Sequence, residues 1–179
     1  MAKRDKTQLV HAARPHLGGE LCPVNPPLVR TSTVLYRDTK IMKDVRERKA
    51  KGERVFNYGT AGTSTAWALE DAINEIEQGQ RTMLFPSGLA AIAHIFLSNL
   101  KPGDHVLLAE SVYAPARAIA VEYLTPRGIT CEFYQGGHRE IAERIRPNTR
   151  MVYLDNPGSI VYDIQDVPAL ARLLEGRET

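Results

Sequence analysis

Cysteine is scarce, and long apolar runs are missing. Only Cys22 and Cys131 occur in 179 residues, far apart and with neither C-x-x-C spacing nor a companion histidine. That pattern excludes a disulfide framework and a cysteine-built metal centre, and it reads as reduced thiols in a cytoplasmic protein. No stretch approaches the ~20 apolar residues that span a bilayer. Met1-Ala2-Lys3-Arg4-Asp5-Lys6 is not followed by the apolar segment of a secretory signal. An excess of one charge is missing too: 23 Lys and Arg against 21 Asp and Glu leave a net +2. Nothing in that balance points to nucleic acid or an anionic membrane as a partner. There is no internal repeat and no low-complexity tract.

What is present is ordinary for a globular chain with a core: 43% hydrophobic and 25% charged residues. Residues 1 to about 38 differ from the rest, because Pro15, Gly18, Gly19, Pro23, Pro26 and Pro27 break any regular element. They read as an extended arm, either laid on a neighbouring subunit or loosely attached. Lys40 to Lys51 reads as a solvated amphipathic helix ended by Gly52. A glycine- and hydroxyl-rich loop, Val55 to Thr65, leads into a helix with Leu69, Ala72, Ile73 and Ile76 inward, capped by one of Thr63, Ser64 or Thr65 and stopped at Gly79.

From Thr82 onward the pattern becomes regular. A strand over Thr82 to Phe85 is expected to turn through Ser87 and Gly88 into a helix reaching Asn99. Strands follow at His105 to Ala109, Ile129 to Tyr134 and Arg150 to Asp155. Between them lie a helix opened by Pro115, carrying Ile119, Ala120, Tyr123 and Leu124 inward, and a short helix over Glu140 to Arg146. Asp166 caps a last helix bearing Leu170, Leu173 and Leu174. Alternation of this kind implies an α/β fold, a mostly parallel sheet with helices on both faces. Ligands of such sheets bind beyond the carboxyl ends of the strands. There stand Ser87 and Gly88, then Glu110, Ser111 and Tyr113, then Asp155, Asn156 and Ser159. Backbone N–H groups at a helix start next to a glycine can hold a phosphate; the alternative is a turn that only turns. Together with an aromatic ring and polar side chains, they suit a planar phosphorylated ligand.

Four pieces of the sequence resemble the pyridoxal-phosphate-dependent enzymes of Cys/Met metabolism, which have the fold-type I architecture. They are Tyr58-Gly59-Thr60-Ala61-Gly62-Thr63-Ser64-Thr65 with Leu69-Glu70, Phe85-Pro86-Ser87-Gly88-Leu89-Ala90-Ala91-Ile92, Gly103-Asp104-His105-Val106-Leu107 through Tyr113, and Asp155-Asn156-Pro157-Gly158-Ser159 with Asp166-Val167-Pro168. The resemblance runs from about Thr31 to about Leu174. The Pro-Gly-Ser ending of the last piece is similar to the bacterial cystathionine β-lyase branch. Several things are implied by it. Gly88 and Leu89 give N–H groups to the phosphate of pyridoxal 5′-phosphate, with Ser87 beside them. Tyr113 stacks on the ring, and Asp155 and Ser159 line the cofactor's edge. Tyr58 reaches the phosphate of another subunit in a homo-oligomer and acts near the substrate. Tyr113 and Tyr58 are thus the implied catalytic residues.

The implied organisation is an N-terminal arm and helix over residues 1–60, a subunit-contact segment. An incomplete cofactor-binding large domain follows over 61–179, with the C-terminal small domain absent. The implied reaction is β-elimination of a sulfur amino acid, cystathionine giving homocysteine, pyruvate and ammonia. Cystathionine γ-synthase, methionine γ-lyase and O-acetylhomoserine sulfhydrylase are the enzyme alternatives; a truncated, non-catalytic gene product is the other. Two departures stand out. The family reads Tyr-x-Arg where this chain has Tyr58-Gly59-Thr60, so a charge-assisted phosphate contact is replaced by a neutral one unless Arg30 or Arg54 substitutes. And none of Lys3, Lys6, Lys40, Lys43, Lys49, Lys51 and Lys101 stands in the Ser-x-Thr-Lys setting of the lysine that carries the cofactor. The chain alone is therefore expected to be inactive.

Overall fold

A computed structural model describes residues 10–12, 14, 21–135 and 137–176. The chain divides into two compact units, Met1–Leu84 and Phe85–Thr179. The expectations for Pro15, Gly18 and Gly19 lie outside the described residues.

In the first unit, residues 21–38 contain no helix, and their one β feature is an antiparallel bridge from Thr33 to Tyr58. Two hydrogen bonds fix the arm to the loop-helix junction. The Thr65 hydroxyl accepts from the Val29 N–H at 2.8 Å and donates to the Pro27 carbonyl at 2.8 Å. Thr65 is therefore a staple for the arm and not a helix cap. Helix α1, Thr39–Ala50, is capped by the Asp38 carboxylate on the Ile41 N–H. Helix α2, Ser64–Glu77, starts after Thr63, and with Gln78 as its C-cap Gly79 follows at the expected stop position. Gln78, not Gly79, takes the left-handed conformation (φ 53°), and its N–H and that of Gly79 both return to the Asn74 carbonyl. Leu69 and Ile76 of α2 remain exposed, against expectation.

The second unit carries the sheet. Helix α3 spans Gly88–Asn99, strand β1 His105–Ala109, helix α4 Ala114–Ala118, strand β2 Thr130–Tyr134, helix α5 Gly137–Arg144, strand β3 Thr149–Tyr153 and helix α6 Val167–Leu174. The order is β2-β1-β3, all parallel, with Leu107 opposite Glu132 on one side and Val152 on the other. All five residues of the central β1 are buried. Its side chains alternate between two cores, as strand geometry requires. Val106 and Leu108 pack with Phe96, Ala116, Ala120 and Leu124, while Leu107 and Ala109 pack with Tyr134, Ile141 and Leu170. Helices α3 and α4 thus cover one face, and α5 and α6 the other, as the alternation implied.

Two sequence expectations fail locally. Residues 81–85 form no strand: the three-stranded sheet offers them no pairing partner among the described residues, and a strand without one leaves its backbone groups unsatisfied. The helix opened by Pro115 is not uniform. After Ala118 it widens to π winding over Ile119–Leu124, then tightens over Thr125–Arg127 to end at Gly128 (φ 82°). Pro126 has no N–H to continue the regular ladder. The Thr125 N–H and hydroxyl both donate to the Ala120 carbonyl, the latter at 3.0 Å. The wider turn leaves Tyr123 exposed beneath the Arg127 guanidinium, 3.5 Å from its ring centre, instead of inward.

Candidate functional site

Topology places a crevice at the carboxyl end of the sheet. The chain leaving β1 passes to α4 on one face, and the chain leaving β3 passes to α6 on the other. Adjacent strands whose outgoing connections part in this way leave a gap between them. Three segments border it.

The first is the start of α3. Ser87 is extended (φ −158°, ψ 160°), and its hydroxyl accepts from the Ala90 N–H at 3.1 Å. The N–H groups of Gly88 and Leu89, in the first turn, have no intrahelical acceptor. A Cβ built on Gly88 would meet nothing within 4 Å, so packing does not require glycine there. What the missing side chain leaves is open space over two free donors at the positive end of a helix.

The second is the loop after β1. The Tyr113 N–H donates to the Asp155 Oδ2 at 2.8 Å, and the ring is half exposed. Arg117 braces the loop: it donates to the Glu110 carbonyl at 2.7 Å, pairs with the Glu110 carboxylate at 2.8 Å and stacks 3.9 Å over Phe133. The third segment follows β3. The Ser159 N–H donates to the Ser111 carbonyl at 2.8 Å, and buried Gly158 lies so close beneath that a Cβ would sit 1.9 Å from the Asp163 Oδ1 and 2.4 Å from the Ser111 Oγ. Here glycine is required for close approach.

These segments enclose a cleft of about 650 Å³. Ser87, Gly88, Leu89, Tyr113 and Ser159 all line it, with Asp155 and Tyr153. Burial, and then the Asp155 charge, push the Tyr153 phenol above its usual range. No lining residue is a lysine or an arginine. Sequence reading missed Ile160 and Tyr162, which also line the cleft in left-handed backbone (φ 67° and 54°); no local pattern marks them. It also missed that Asp155 spends an oxygen on Tyr113, a contact across 42 residues.

Tyr58 belongs to the first unit, half exposed and bridged to Thr33. The next residue, Gly59, donates to the Ser32 carbonyl at 2.7 Å, and a Cβ there would fall 1.8 Å from the Thr31 carbonyl oxygen. Thr60 lines a separate cleft within that unit, with Arg54 and Trp67. Arg54 is held by Glu70 at 3.3 Å and Asp71 at 2.6 Å, so its charge is already matched. Arg30 is exposed on the arm. Cys22 and Cys131 are not joined in a disulfide, and no group of His, Cys, Asp and Glu among the described residues could hold a metal. No described helix is long and apolar enough to cross a membrane.

The model of the Cys/Met metabolism PLP-dependent enzymes matches residues 6–178. The chain belongs to that family. It is 40% identical over 150 residues to a cystathionine β-lyase of Bordetella avium, an alignment covering 84% of this chain and 38% of that protein. It is 34% identical over 171 residues to the cystathionine β-lyase MetC of Escherichia coli, covering 94% and 42%. A solved cystathionine γ-lyase of Lactobacillus plantarum, complexed with L-serine, superposes with a TM-score of 0.81 at 26% identity, covering 98% of this chain and 43% of that one. The chain thus spans well under half the length of these relatives. The family's cofactor is pyridoxal 5′-phosphate, and the cleft's donor set fits it. Two unpaired N–H groups under open space suit a phosphate, and a half-exposed aromatic ring suits a planar heterocycle.

Proposed function

We propose that this chain forms the phosphate- and ring-binding part of a pyridoxal-phosphate-dependent carbon–sulfur lyase of the cystathionine β-lyase type. The convergence of Ser87, Gly88, Leu89, Tyr113 and Ser159 on one cleft carries the reading. The 40% and 34% identities to cystathionine β-lyases support the branch. The likeness to a cystathionine γ-lyase keeps γ-elimination as the second reading.

In this proposal the Gly88 and Leu89 N–H groups bind the phosphate, aided by the α3 dipole. The Tyr113 ring fixes the plane of the cofactor, and Asp155 holds Tyr113 through its backbone. Ser159 sets a hydroxyl at the edge. Tyr58 acts near the phosphate of a second subunit, the arm and α1 forming the subunit-contact segment. When bound, the cofactor supplies an electron sink for breaking the carbon–sulfur bond of a sulfur amino acid. Because no lysine lines the cleft, the chain by itself binds the cofactor non-covalently and does not turn over substrate.

A pyridoxal phosphate titration, read by absorbance and by protein fluorescence, tests this. Saturable binding that borohydride does not convert to a covalent lysine adduct is expected, with no pyruvate released from cystathionine. Absence of saturable binding, or pyruvate release by the purified chain, would overturn it.

A further inference from the structure

The topology that opens a crevice between β1 and β3 opens another on the other side of β1. The chain leaving β2 turns to α5, on the face opposite α4, so the outgoing connections of β1 and β2 also part. A cleft of about 350 Å³ lies there. Ala109 and Tyr134 form its floor, and Val161 and Asp163 stand over it. It is independent of the proposed cofactor cleft, although one strap borders both. Ile160 and Tyr162 line the first cleft, and the alternate residues Val161 and Asp163 line the second.

Three of the polar side chains around this second cleft are occupied. The Tyr134 hydroxyl and the Gln165 Oε1 share a hydrogen bond at 2.7 Å, and the Gln165 Nε2 lies 3.5 Å from the Asp155 carbonyl. The Glu110 carboxylate is neutralised by Arg117. The Asp163 carboxylate, exposed at the rim, has no hydrogen bond or ion pair among the described residues, and the buried Ser111 hydroxyl, crowded against the same side of Gly158, has no partner. An apolar floor under an unmatched carboxylate calls for a ligand with an apolar body and a cationic donor. A carboxylate on that ligand would be repelled.

We propose that the β1/β2 crevice is a second ligand site, selective for a small organic ammonium ion without a carboxylate, held by Asp163 over Ala109 and the Tyr134 ring. The test uses the full 179-residue chain and benzylammonium chloride, with benzyl alcohol and benzoate as neutral and anionic counterparts, followed by amide chemical shifts. Saturable shifts at Ala109 to Ser111 and Val161 to Gln165 are expected, with benzyl alcohol weaker and benzoate silent. Asp163→Asn should weaken benzylammonium by about fivefold, the loss of about 1 kcal/mol of charge interaction. Val161→Trp, at an exposed position, should block the cleft. Equal binding of the three probes, an unchanged affinity in Asp163→Asn, or shifts confined to Ser87 to Ile92 and Tyr113 would each overturn the proposal. The probe is read without cofactor, so this result stands apart from the pyridoxal phosphate titration.

Discussion

The Asp155 carboxylate accepts the backbone N–H of Tyr113 at 2.8 Å, tying the loop after β1 to the loop after β3. A charged acceptor on a backbone donor contributes about 1.5–3 kcal/mol where water is excluded and less at a partly exposed site. The bond sets the position of Tyr113 while leaving its ring free. Asp155→Ala should therefore weaken pyridoxal phosphate binding by about three- to tenfold, with a smaller effect on the unfolding midpoint. Asp155→Asn, which keeps an acceptor, should recover most of the affinity. A cofactor titration of both variants checks this, and equal loss in the two would show that the charge, not the tether, matters.

Gly88 and Gly158 make an instructive pair because the same substitution should act in opposite ways. A methyl group on Gly88 meets nothing, and the residue lies in a helix, so Gly88→Ala should leave stability unchanged or raise it by about 0.4–1 kcal/mol. It should nonetheless weaken cofactor binding, because the methyl occupies space over the free donors. Gly158→Ala forces a Cβ against Asp163 and Ser111, and should destabilise the fold by about 1–3 kcal/mol. Urea unfolding alongside the cofactor titration separates the two effects.

The parts of this structure that are legible in the sequence rest on local periodicity. His105 with the four apolar residues Val106 to Ala109 reads as a buried strand, and Pro115 and Asp166 mark helix starts by what their side chains do to the backbone. The site residues after β1 and β3 follow from the rule that loops at the carboxyl ends of parallel strands meet. What was not legible depends on partners distant in sequence. Residues 81–85 have the composition of a strand but no neighbour to pair with among the described residues. Thr65 looks like a helix cap until Val29 and Pro27 claim its hydroxyl. Tyr123 falls on the inward side of an ideal helix and leaves it because Pro126 changes the winding. Ile160 and Tyr162 take left-handed backbone that neither residue favours.

Helix α2 presents Leu69 and Ile76 to solvent seven residues apart, on one face, and α3 presents Leu89, Ile95 and Leu97. Both β2 and β3 have an unpaired edge among the described residues. Apolar surface and open strand edges favour association between copies. The purified chain should therefore sediment as a dimer or larger species at micromolar concentration. Leu69→Lys with Ile76→Lys should shift that distribution toward monomer without lowering the unfolding midpoint. A monodisperse monomer of the unmodified chain would contradict the expectation.

His105 sits fully buried at the start of β1, with its Nδ1 2.8 Å from the Thr149 Oγ1 and its Nε2 3.6 Å from the Glu132 Oε2. The Thr149 hydroxyl also accepts from the Arg146 N–H at 2.7 Å, and its second lone pair or its proton serves Nδ1 according to the tautomer of the ring. Burial, followed by the Arg146 charge, lowers the imidazole pKa in the fold, against a smaller opposing pull from Glu132. Unfolded histidine titrates near 6.5. Below that pH the unfolded chain takes up a proton that the native chain does not, and stability falls until the lowered native pKa is reached. Above pH 7 this residue contributes no slope. The loss is bounded at about 1.4 kcal/mol per pH unit for one proton. Urea unfolding at pH 7.5, 6.5 and 5.5 should show falling stability in the acid range, and His105→Gln should flatten that slope even though its own midpoint is lower throughout. An identical slope in the variant would assign the acid sensitivity to other groups and leave His105 as packing alone.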